Sequence, residues 1–516
     1  MPQPVIIAVH QLGYGGVTNA VLDQAAMFRA SGRPTTIATF TESTALRPRI
    51  EELRRNGRLH PDVDVVNLFE DASRRQTMLA GPAGSLLAGA RRLGGRAHDR
   101  VRLQSEPGHD KAGSYVRYFG PGGDFLKLVR LTKDGAVASV DSFAERRRST
   151  HDEYAAGRLF KRVSYDRETG TENQEQYFTP DGYCFMTRWK SPGTGRGQGV
   201  YVFDRRTRRA RRFSGLPDWG VAWLEELARR QPAKPLIVAE TPSVIPKVAQ
   251  LPSEVAHRVG MLHNNQFAFP HEPGSAVRGD HVPILEALDS LDGLVVLTEQ
   301  QRDDLVDLAD HAERIYVVPN TAVVHDLPDV APDDRLVTVV SRLAPQKALD
   351  EAVEAFALVL ERVPDARLEI YGRGPEKGRL AALIAARGLG RSVLLKGRTE
   401  EPASVMARSV CTLSTSNWEA MPLSILESEA LATPVVSYDC RYGPAALIED
   451  GVTGRLVAKG DRAALADAVV ELLHDPELAR RMGAVARQRV QDAHTSDVVL
   501  GAWEKCFASI TGRPGL

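Results

Sequence analysis

Short apolar runs alternate with longer amphipathic stretches at both ends of this sequence, and this alternation limits the folds open to the chain. Near the N-terminus, PVIIAVHQLGYGGVTNAVLDQAAMFRASG followed by PTTIATF has the pattern of a buried strand, a glycine loop, a helix and a second strand. Wholly apolar strands joined by helices are typical of a parallel sheet that is covered on both faces. The sequence therefore predicts a Rossmann-like α/β domain at this end.

A second alternating unit begins after the Pro- and Asp-rich link at 325–334. The segments RLVTVVSRLAPQK, RLEIYGRGP, SVLLKGR, CTLSTS and TPVVSYD each have the pattern of a strand followed by a helical stretch. We predict a C-terminal Rossmann-like nucleotide-sugar domain at 331–495 and a C-terminal helix at 496–516 that packs back on the N-terminal domain.

Between these units, from about residue 80 to 215, the pattern changes to closely spaced strands with polar turns. GSYVRYFGPGGDFLKLVRLTKDGAVASV has PGGD and KDG turns at the spacing of β-hairpins. The predicted fold class is α/β, with two Rossmann-like domains and a cleft between them. An antiparallel β-meander at 80–215 is inserted into a discontinuous N-terminal acceptor domain, 1–79 and 216–330.

Composition and charge exclude several classes of function. Lys plus Arg and Asp plus Glu both total 66, so global charge predicts no nucleic-acid partner. The four cysteines lack CxxC spacing, which argues against a zinc cluster or a disulfide framework and favours the cytoplasm. No segment resembles a signal peptide or a membrane span, so any membrane association is expected to be peripheral. Asp62 and Asp64 form a DVD triplet, but they precede a predicted strand, and we predict no metal site.

Two cations stand in the loop that follows the first strand of the C-terminal domain. Arg342 and Lys347, in VVSRLAPQKALDEAVEAF, come just before a predicted helix, and a helix N-terminus favours anions. The pair suits a diphosphate group, although solvated loop charges would give the same pattern.

Two carboxylates, Glu419 and Glu427, are separated by seven residues across a loop-to-helix junction, where Pro422 suits the first turn of the helix. Because a carboxylate accepts two hydrogen bonds, Glu427 is suited to a ribose diol and Glu419 to sugar hydroxyls. Complementarity to the helix dipole is the alternative reading. The junction residues whose backbone N–H groups we expect to face phosphate or sugar oxygens are Ala420, Met421 and Leu423.

The segments SRLAPQK, YGRGPEK and EAMPLSILE followed by ATPVVSYD resemble glycosyltransferase family 4, whose members are retaining enzymes of the GT-B fold. The resemblance covers the C-terminal domain and extends to the GGV loop, LHNN and VVPN segments of the N-terminal domain. It implies that Arg342 and Lys347 bind the diphosphate of a UDP-sugar donor, UDP-GlcNAc or UDP-glucose. It also implies catalytic roles for these two cations, for Glu419 and for His263 in MLHNN, without a metal or other cofactor.

The family's glycine of the N-terminal domain falls on Gly16, and Gly15 beside it also permits close approach of a substrate. By themselves, a glycine pair after a strand indicates only a turn, and a lone histidine indicates a packing residue. The resemblance favours the functional reading for both.

The predicted meander, with YFTPDGYCFMTRW and IVAETPSVIPK, is similar to the subgroup that glycosylates wall teichoic acid polyols or serine-rich proteins. This similarity implies a polyol-phosphate polymer or a Ser/Thr-rich protein as acceptor. Exposed edges of the meander are suited to pairing between subunits, so we also predict a homo-oligomer. Arginine runs at 146–148 and 205–212 make the meander basic, which indicates either solvated hairpin faces or contacts to a polyphosphate. The alternatives from other classes are a nucleotide-sugar epimerase or phosphorylase on a similar fold and a non-catalytic polymer-binding protein.

Overall fold

The computed structural model describes residues 2–78, 103–309, 311–324 and 326–512, and these form two compact units. The first unit comprises Met1–Ile37, Ile50–Asp64 and Ala228–Leu516, and the second comprises Ala38–Arg49 and Val65–Leu227. The second unit thus takes in more of the chain than the meander at 80–215, and the domain boundaries given above stay predictions.

The strands of the described residues are numbered in chain order. They are β1 (Val5–Val9), β2 (Thr35–Thr39), β3 (Asp64–Asn67), β4 (Gln104–Asp110), β5 (Gly113–Phe119), β6 (Phe125–Leu131), β7 (Val137–Ala144), β8 (Arg147–Ala155), β9 (Arg158–Tyr165), β10 (Glu172–Phe178), β11 (Cys184–Lys190), β12 (Gly197–Asp204), β13 (Arg209–Phe213), β14 (Leu236–Ala239), β15 (His257–Met261), β16 (Gly293–Val296), β17 (Ile315–Val317), β18 (Asp333–Val340), β19 (Arg367–Tyr371), β20 (Val393–Gly397), β21 (Ser409–Ser414), β22 (Val435–Asp439) and β23 (Gly454–Ala458).

The α-helices of the described residues are numbered in the same way. They are α1 (Gly16–Ala30), α2 (Leu46–Arg55), α3 (Leu68–Met78), α4 (Leu216–Arg229), α5 (Ile245–Ala249), α6 (Val282–Glu286), α7 (Glu299–Val306), α8 (Leu349–Arg362), α9 (Lys377–Ala386), α10 (Pro402–Ala407), α11 (Leu423–Ala430), α12 (Pro444–Leu447), α13 (Arg462–His474), α14 (Pro476–Ala493) and α15 (Ser496–Thr511).

The sheet of the N-terminal Rossmann-like part has the strand order β17-β16-β15-β14-β1-β2-β3. The pairs β1·β14, β14·β15, β15·β16 and β16·β17 are parallel, and β1 and β14 are buried along their whole length. The predicted parallel sheet is therefore confirmed. Because β14 returns beside β1 only after the antiparallel sheet, segments far apart in sequence end at one sheet edge.

The second unit contains an antiparallel sheet in which β4 to β13, ten strands within the described residues, follow one another in chain order. The predicted meander is confirmed, and its PGGD turn joins β5 to β6, with Gly123 at a φ of 81°. In the same unit, Phe69 of α3 packs on Tyr177 with ring centroids 5.1 Å apart, and Trp223 Nε1 donates to Asp71 at 2.9 Å. Residues 80–102 of the predicted insertion lie outside the described residues.

The C-terminal sheet has the order β20-β19-β18-β21-β22-β23, with parallel pairs from edge to edge. Its core is formed by apolar side chains of these strands packed against α8, α13 and α14. In a parallel sheet of this kind, ligands bind at the carboxyl ends of the strands. The loops after β18 and β21, which leave adjacent strands, are therefore the loops on which a site is expected.

The last helix, α15, packs against α1. Phe28 and Trp503 meet edge to face at 5.4 Å, and Arg33 forms a partly buried ion pair with Glu504 at 2.6 Å. In the part of the chain that the structure describes, no helix combines the length and the apolar character needed to cross a membrane.

Candidate active site

The loop between β18 and α8 brings Arg342 and Lys347 to the loop that follows β21. Lys347 Nζ forms an ion pair with Glu419 Oε1, and both side chains are largely buried. Gln346 joins the remaining groups, because it accepts from Arg342 Nη2 at 3.1 Å and donates to the Trp418 carbonyl at 2.9 Å and to Glu419 Oε2 at 3.4 Å. Three of the four predicted catalytic residues therefore lie together, and Gln346, which the sequence analysis missed, bridges them.

The GRGP turn after β19 forms backbone hydrogen bonds with the loop that carries Arg342 and Lys347. Leu343 N donates to the Arg373 carbonyl at 3.0 Å, and Glu376 N donates to the Leu343 carbonyl at 3.1 Å. A Cβ at Gly374 would lie 2.1 Å from the Leu343 carbonyl oxygen, so only glycine allows this approach. The turn thus holds the loop that carries the two cations.

The backbone of Glu419 is held on both sides by the segment that follows β22. Glu419 N donates to the Arg441 carbonyl and Tyr442 N donates to the Glu419 carbonyl, both at 2.9 Å. Gly443 has a φ of 97°, and a Cβ there would lie 2.6 Å from the Ala420 carbonyl oxygen. The position of Glu419 therefore depends on a glycine that the sequence analysis did not single out.

Helix α11 begins directly after this loop. The sequence analysis placed Pro422 in the first turn of this helix, and that expectation was wrong. Pro422 is the N-cap residue, not a residue of the first turn, because its ψ of 111° is extended and its carbonyl accepts from Ile425 N at 3.1 Å. No described residue accepts a hydrogen bond from the backbone N–H groups of Ala420, Met421 or Leu423. These three groups remain available to a ligand oxygen.

The start of α11 and the cation loop also meet in a small pocket, lined in part by Ser341, Lys347 and Ser424. A helix start and a lysine side chain thus face the same space. Both features favour an anionic group there.

The predicted glycine pair lies opposite these loops. Gly15 is the N-cap residue of α1, with a φ of 130°, and Gly16 is its first residue. A Cβ at Gly15 would be 4.0 Å from Arg342 Cδ, and one at Gly16 would be 3.6 Å from Leu423 Cδ1. The two glycines therefore lie directly against both loops of the C-terminal Rossmann-like part.

His263 follows β15, and its imidazole pairs through Nε2 with Glu240 Oε2. The Glu240 side chain has no exposed surface, and that of His263 is 9% exposed. The sequence analysis missed Glu240, although this polar residue at the end of the apolar run KPLIVA was a usable signal. Among the described contacts, none joins His263 directly to Glu419.

The chain after His263 does contact the Glu419 loop. Asn265 Nδ2 donates to the Arg441 carbonyl at 3.2 Å, and the His271 ring stacks on Trp418 with centroids 3.9 Å apart. Burial lowers the pKa of His271, which favours the neutral ring in this stack. The segment that follows His263 therefore contacts the Glu419 loop, although no described contact joins His263 itself to Glu419.

Glu427 lies apart from the Lys347–Glu419 group, one turn into α11. Its side chain is exposed to solvent, yet the protein around it reduces its solvation and raises its pKa to about 7. The charge of Asp23 raises this pKa further, and Arg58, which pairs with Asp23 at 3.4 Å, lowers it. A carboxyl group in a cleft can touch water and still have a raised pKa. The surrounding protein displaces part of the water that would stabilise its ionised form.

The DVD triplet shows ordinary structural contacts, since exposed Asp62 pairs with Arg29 at 3.4 Å and Asp64 begins β3. Among the residues that the structure describes, no group of three or more His, Cys, Asp or Glu side chains is placed to hold a metal ion. The absence of a metal requirement stays a prediction.

Comparison with known proteins extends these observations. Residues 327–489 match the family model for glycosyl transferases group 1. The chain is 24% identical, over 508 residues, to a poly(ribitol-phosphate) alpha-N-acetylglucosaminyltransferase of Staphylococcus aureus, covering 98% of this chain and 99% of that one. It is also 24% identical, over 488 residues, to a poly(glycerol-phosphate) alpha-glucosyltransferase of Bacillus subtilis, covering 90% of this chain and 68% of that one.

A solved structure of a mutant S. aureus TarM, in complex with fondaparinux, alpha-GlcNAc-glycerol and UDP, superposes with a TM-score of 0.86. It is 22% identical to this chain, and the match covers 98% of this chain and 100% of that one. At this identity the likeness establishes the fold. The chain therefore has the GT-B fold.

Proposed function

We propose that the chain is a glycosyltransferase that moves a hexose or N-acetylhexosamine from a UDP-sugar to a hydroxyl of a polyol-phosphate polymer. The observation that carries this proposal is the meeting of Arg342, Lys347 and Glu419 beside the start of α11. Cations and unpaired backbone N–H groups suit a diphosphate, and a carboxylate beside them suits a sugar.

In the proposed reaction, breaking the bond between sugar and phosphate places negative charge on the departing diphosphate. Arg342 and Lys347 stabilise this charge, together with the N–H groups at the start of α11, so that no metal ion is required. Glu419 positions the sugar while its ion pair holds Lys347 in place. We propose transfer with retention of configuration, in which the leaving phosphate helps to remove the proton of the attacking hydroxyl.

The acceptor and donor are proposed from the two relatives, whose names specify polyol-phosphate acceptors and GlcNAc or glucose as the transferred sugar. We accordingly propose UDP-GlcNAc or UDP-glucose as donor.

The four cysteines are free thiols, which fits a reducing compartment such as the cytoplasm. A homo-oligomer stays a prediction that light scattering of the purified protein tests.

A panel of donors and acceptors tests the proposal. Purified protein is incubated with UDP-GlcNAc, UDP-glucose or UDP-galactose and with poly(ribitol phosphate), poly(glycerol phosphate) or a serine-rich polypeptide, and products are identified by mass spectrometry. We expect sugar on a polyol-phosphate polymer, loss of that product in Lys347→Gln, and no loss in Lys377→Gln, which removes an exposed lysine at the start of α9. Modification of the polypeptide alone would instead make the chain a protein O-glycosyltransferase.

A further inference from the structure

The buried Glu240 side chain contacts the His263 imidazole on the side away from solvent. We propose that Glu240 is a positioning residue, which fixes the His263 imidazole through Nε2 and leaves Nδ1 as the nitrogen that meets the substrate. The identity of that substrate rests on the proposed function. The orientation of the imidazole does not.

The sheet order places the two residues side by side. β14 and β15 are parallel neighbours, with Ala239 opposite Gly260, so the residues that follow these strands emerge at one edge. Glu240 N donates to the Ala8 carbonyl of β1 at 2.9 Å, which fixes the glutamate backbone between two strands. The carboxylate therefore forms a rigid support for a side chain on the neighbouring strand end.

Exposure separates the roles of the two groups. The Glu240 side chain has no exposed surface, whereas the His263 side chain keeps some. With the imidazole in place, a substrate can touch His263 but not Glu240. Any influence of Glu240 on the reaction is therefore exerted through His263.

The chemistry of the pair assigns the nitrogens. In the proposed arrangement the Glu240 carboxylate is the acceptor, and Nε2–H donates to its Oε2. Nδ1 has no partner among the described residues and is the nitrogen available to a hydroxyl or phosphate oxygen. Glu240 Oε1 is also buried without a described partner, so loss of the imidazole would leave a buried carboxylate unpaired. A carboxylate that holds a histidine in one tautomer is a recurrent device in active sites.

Amide replacements of His263 test which nitrogen is used. The amide of asparagine reaches the position of Nδ1, whereas that of glutamine reaches the position of Nε2. We expect His263→Asn to retain at least about tenfold more turnover than His263→Gln, with similar affinity for UDP in both. Equal turnover in the two variants, or greater turnover in His263→Gln, would overturn the assignment.

A double-mutant cycle tests whether Glu240 acts through His263. Glu240→Gln keeps the side-chain volume and should lower kcat by about tenfold to a hundredfold without changing affinity for UDP. Glu240→Asp, which restores the carboxylate, should recover part of kcat. In the His263→Asn background the Glu240→Gln change should have no further effect, and additive losses would show that Glu240 acts independently. Glu429→Gln, which replaces another buried carboxyl group that has one oxygen without a described partner, is the control for burial and shape and should leave kcat unchanged.

A spectroscopic measurement separates this proposal from the proposed function. In protein labelled with ¹⁵N-histidine, with the His263 signals assigned by their loss in His263→Asn, we expect a proton on Nε2 of the unmodified protein. Glu240→Gln should alter these signals. If His263 carries its proton on Nδ1 alone, the assignment fails even where glycosyl transfer is observed. If no transfer is observed with any donor, the ¹⁵N spectrum still decides the role of Glu240.

Discussion

At the scale of single residues, Glu419 and Glu427 lie in different surroundings. Glu419 is buried and paired with Lys347, whereas Glu427 is exposed and lies near Asp23 and Arg58. The sequence placed both carboxylates at one junction, but it could not show that one of them pairs with a predicted phosphate-binding lysine. Because of this difference, we expect substitutions of the two residues to have different effects on nucleotide binding.

Glu419→Gln should leave UDP affinity unchanged or increased, because it removes a negative charge beside Lys347 and the expected diphosphate. Its turnover should fall by about 10²-fold or more, since the contact to the transferring sugar is lost. Calorimetry with UDP and a turnover assay on the same preparation measure both effects. Weaker UDP binding in Glu419→Gln would place this carboxylate on the nucleotide instead of the sugar.

Glu427→Ala should weaken UDP binding itself, because a carboxylate that accepts hydrogen bonds from the ribose hydroxyls contributes about 1.5–3 kcal/mol. Calorimetry measures the UDP affinity of Glu427→Ala and Glu419→Gln under the same conditions, so that each variant is the control for the other. Unchanged UDP affinity in Glu427→Ala would remove the assignment of this residue to ribose.

The raised pKa of Glu427 predicts a pH dependence of nucleotide binding. The carboxyl is mostly protonated below its pKa of about 7 and ionised above it, and only the ionised form accepts from both ribose hydroxyls. UDP affinity should therefore rise as pH increases from about 6 to 8. In Glu427→Gln the part of the pH dependence that comes from this carboxyl should be absent. The UDP phosphate titrates in the same way with both proteins, so the difference between the two affinity–pH curves reports on Glu427. Parallel affinity–pH curves for the two proteins would contradict the prediction.

At the scale of elements, the loops after β18 and β21 are held by close backbone approaches. Gly443→Ala should displace the Glu419 loop, because the added Cβ meets the Ala420 carbonyl oxygen and the φ of 97° disfavours alanine. We expect a loss of about 1–3 kcal/mol in stability together with reduced turnover. Gly378→Ala is the control, since a Cβ there meets nothing within 4 Å, and it should be neutral or slightly stabilising. Equal melting temperatures and turnover in both variants would contradict this account.

The antiparallel sheet of the second unit gives a prediction about acceptor capture. β13 exposes Arg209 and Arg212, and a polyphosphate chain would be attracted to such arginines. Replacing both with glutamine should reduce transfer to a long polymer and its sensitivity to salt, while slow hydrolysis of the UDP-sugar persists. The matched control replaces exposed Lys377 and Arg391 with glutamine. If the β13 variant modifies the polymer as well as the control does, the sheet's arginines have no part in acceptor capture.

Periodicity and turn chemistry were enough to predict the sheets, because each strand and hairpin depends on residues close together in sequence. The Lys347–Glu419 site was also predictable in outline, since both loops leave strands of one parallel sheet. The Glu240–His263 pair was not predicted, because the sequence does not show that β14 and β15 are neighbours in the sheet or that the Glu240 side chain turns towards His263. Gln346 and Gly443 were missed for a similar reason, since their importance lies in contacts to loops about 70 and 25 residues distant.

At the scale of the whole molecule, the GT-B fold and the match of residues 327–489 to the glycosyl transferases group 1 model fit more than one activity. A transferase moves the sugar of a UDP-sugar to an acceptor, an epimerase converts the UDP-sugar to an isomer, and a polymer-binding protein leaves the UDP-sugar unchanged. A glycosyltransferase acting on a polymer must release one UDP for every sugar unit that the polymer gains. This stoichiometry distinguishes the proposed activity from each alternative.

The most direct measurement is therefore a time course that records UDP release and the sugar added to a polyol-phosphate polymer in the same reaction. We predict that the two quantities rise together in a one-to-one ratio, and that both fall by about 10²-fold or more in Glu419→Gln. UDP release without sugar on the polymer, conversion of the UDP-sugar to an isomer, or polymer binding with no chemistry at all would contradict the proposed function.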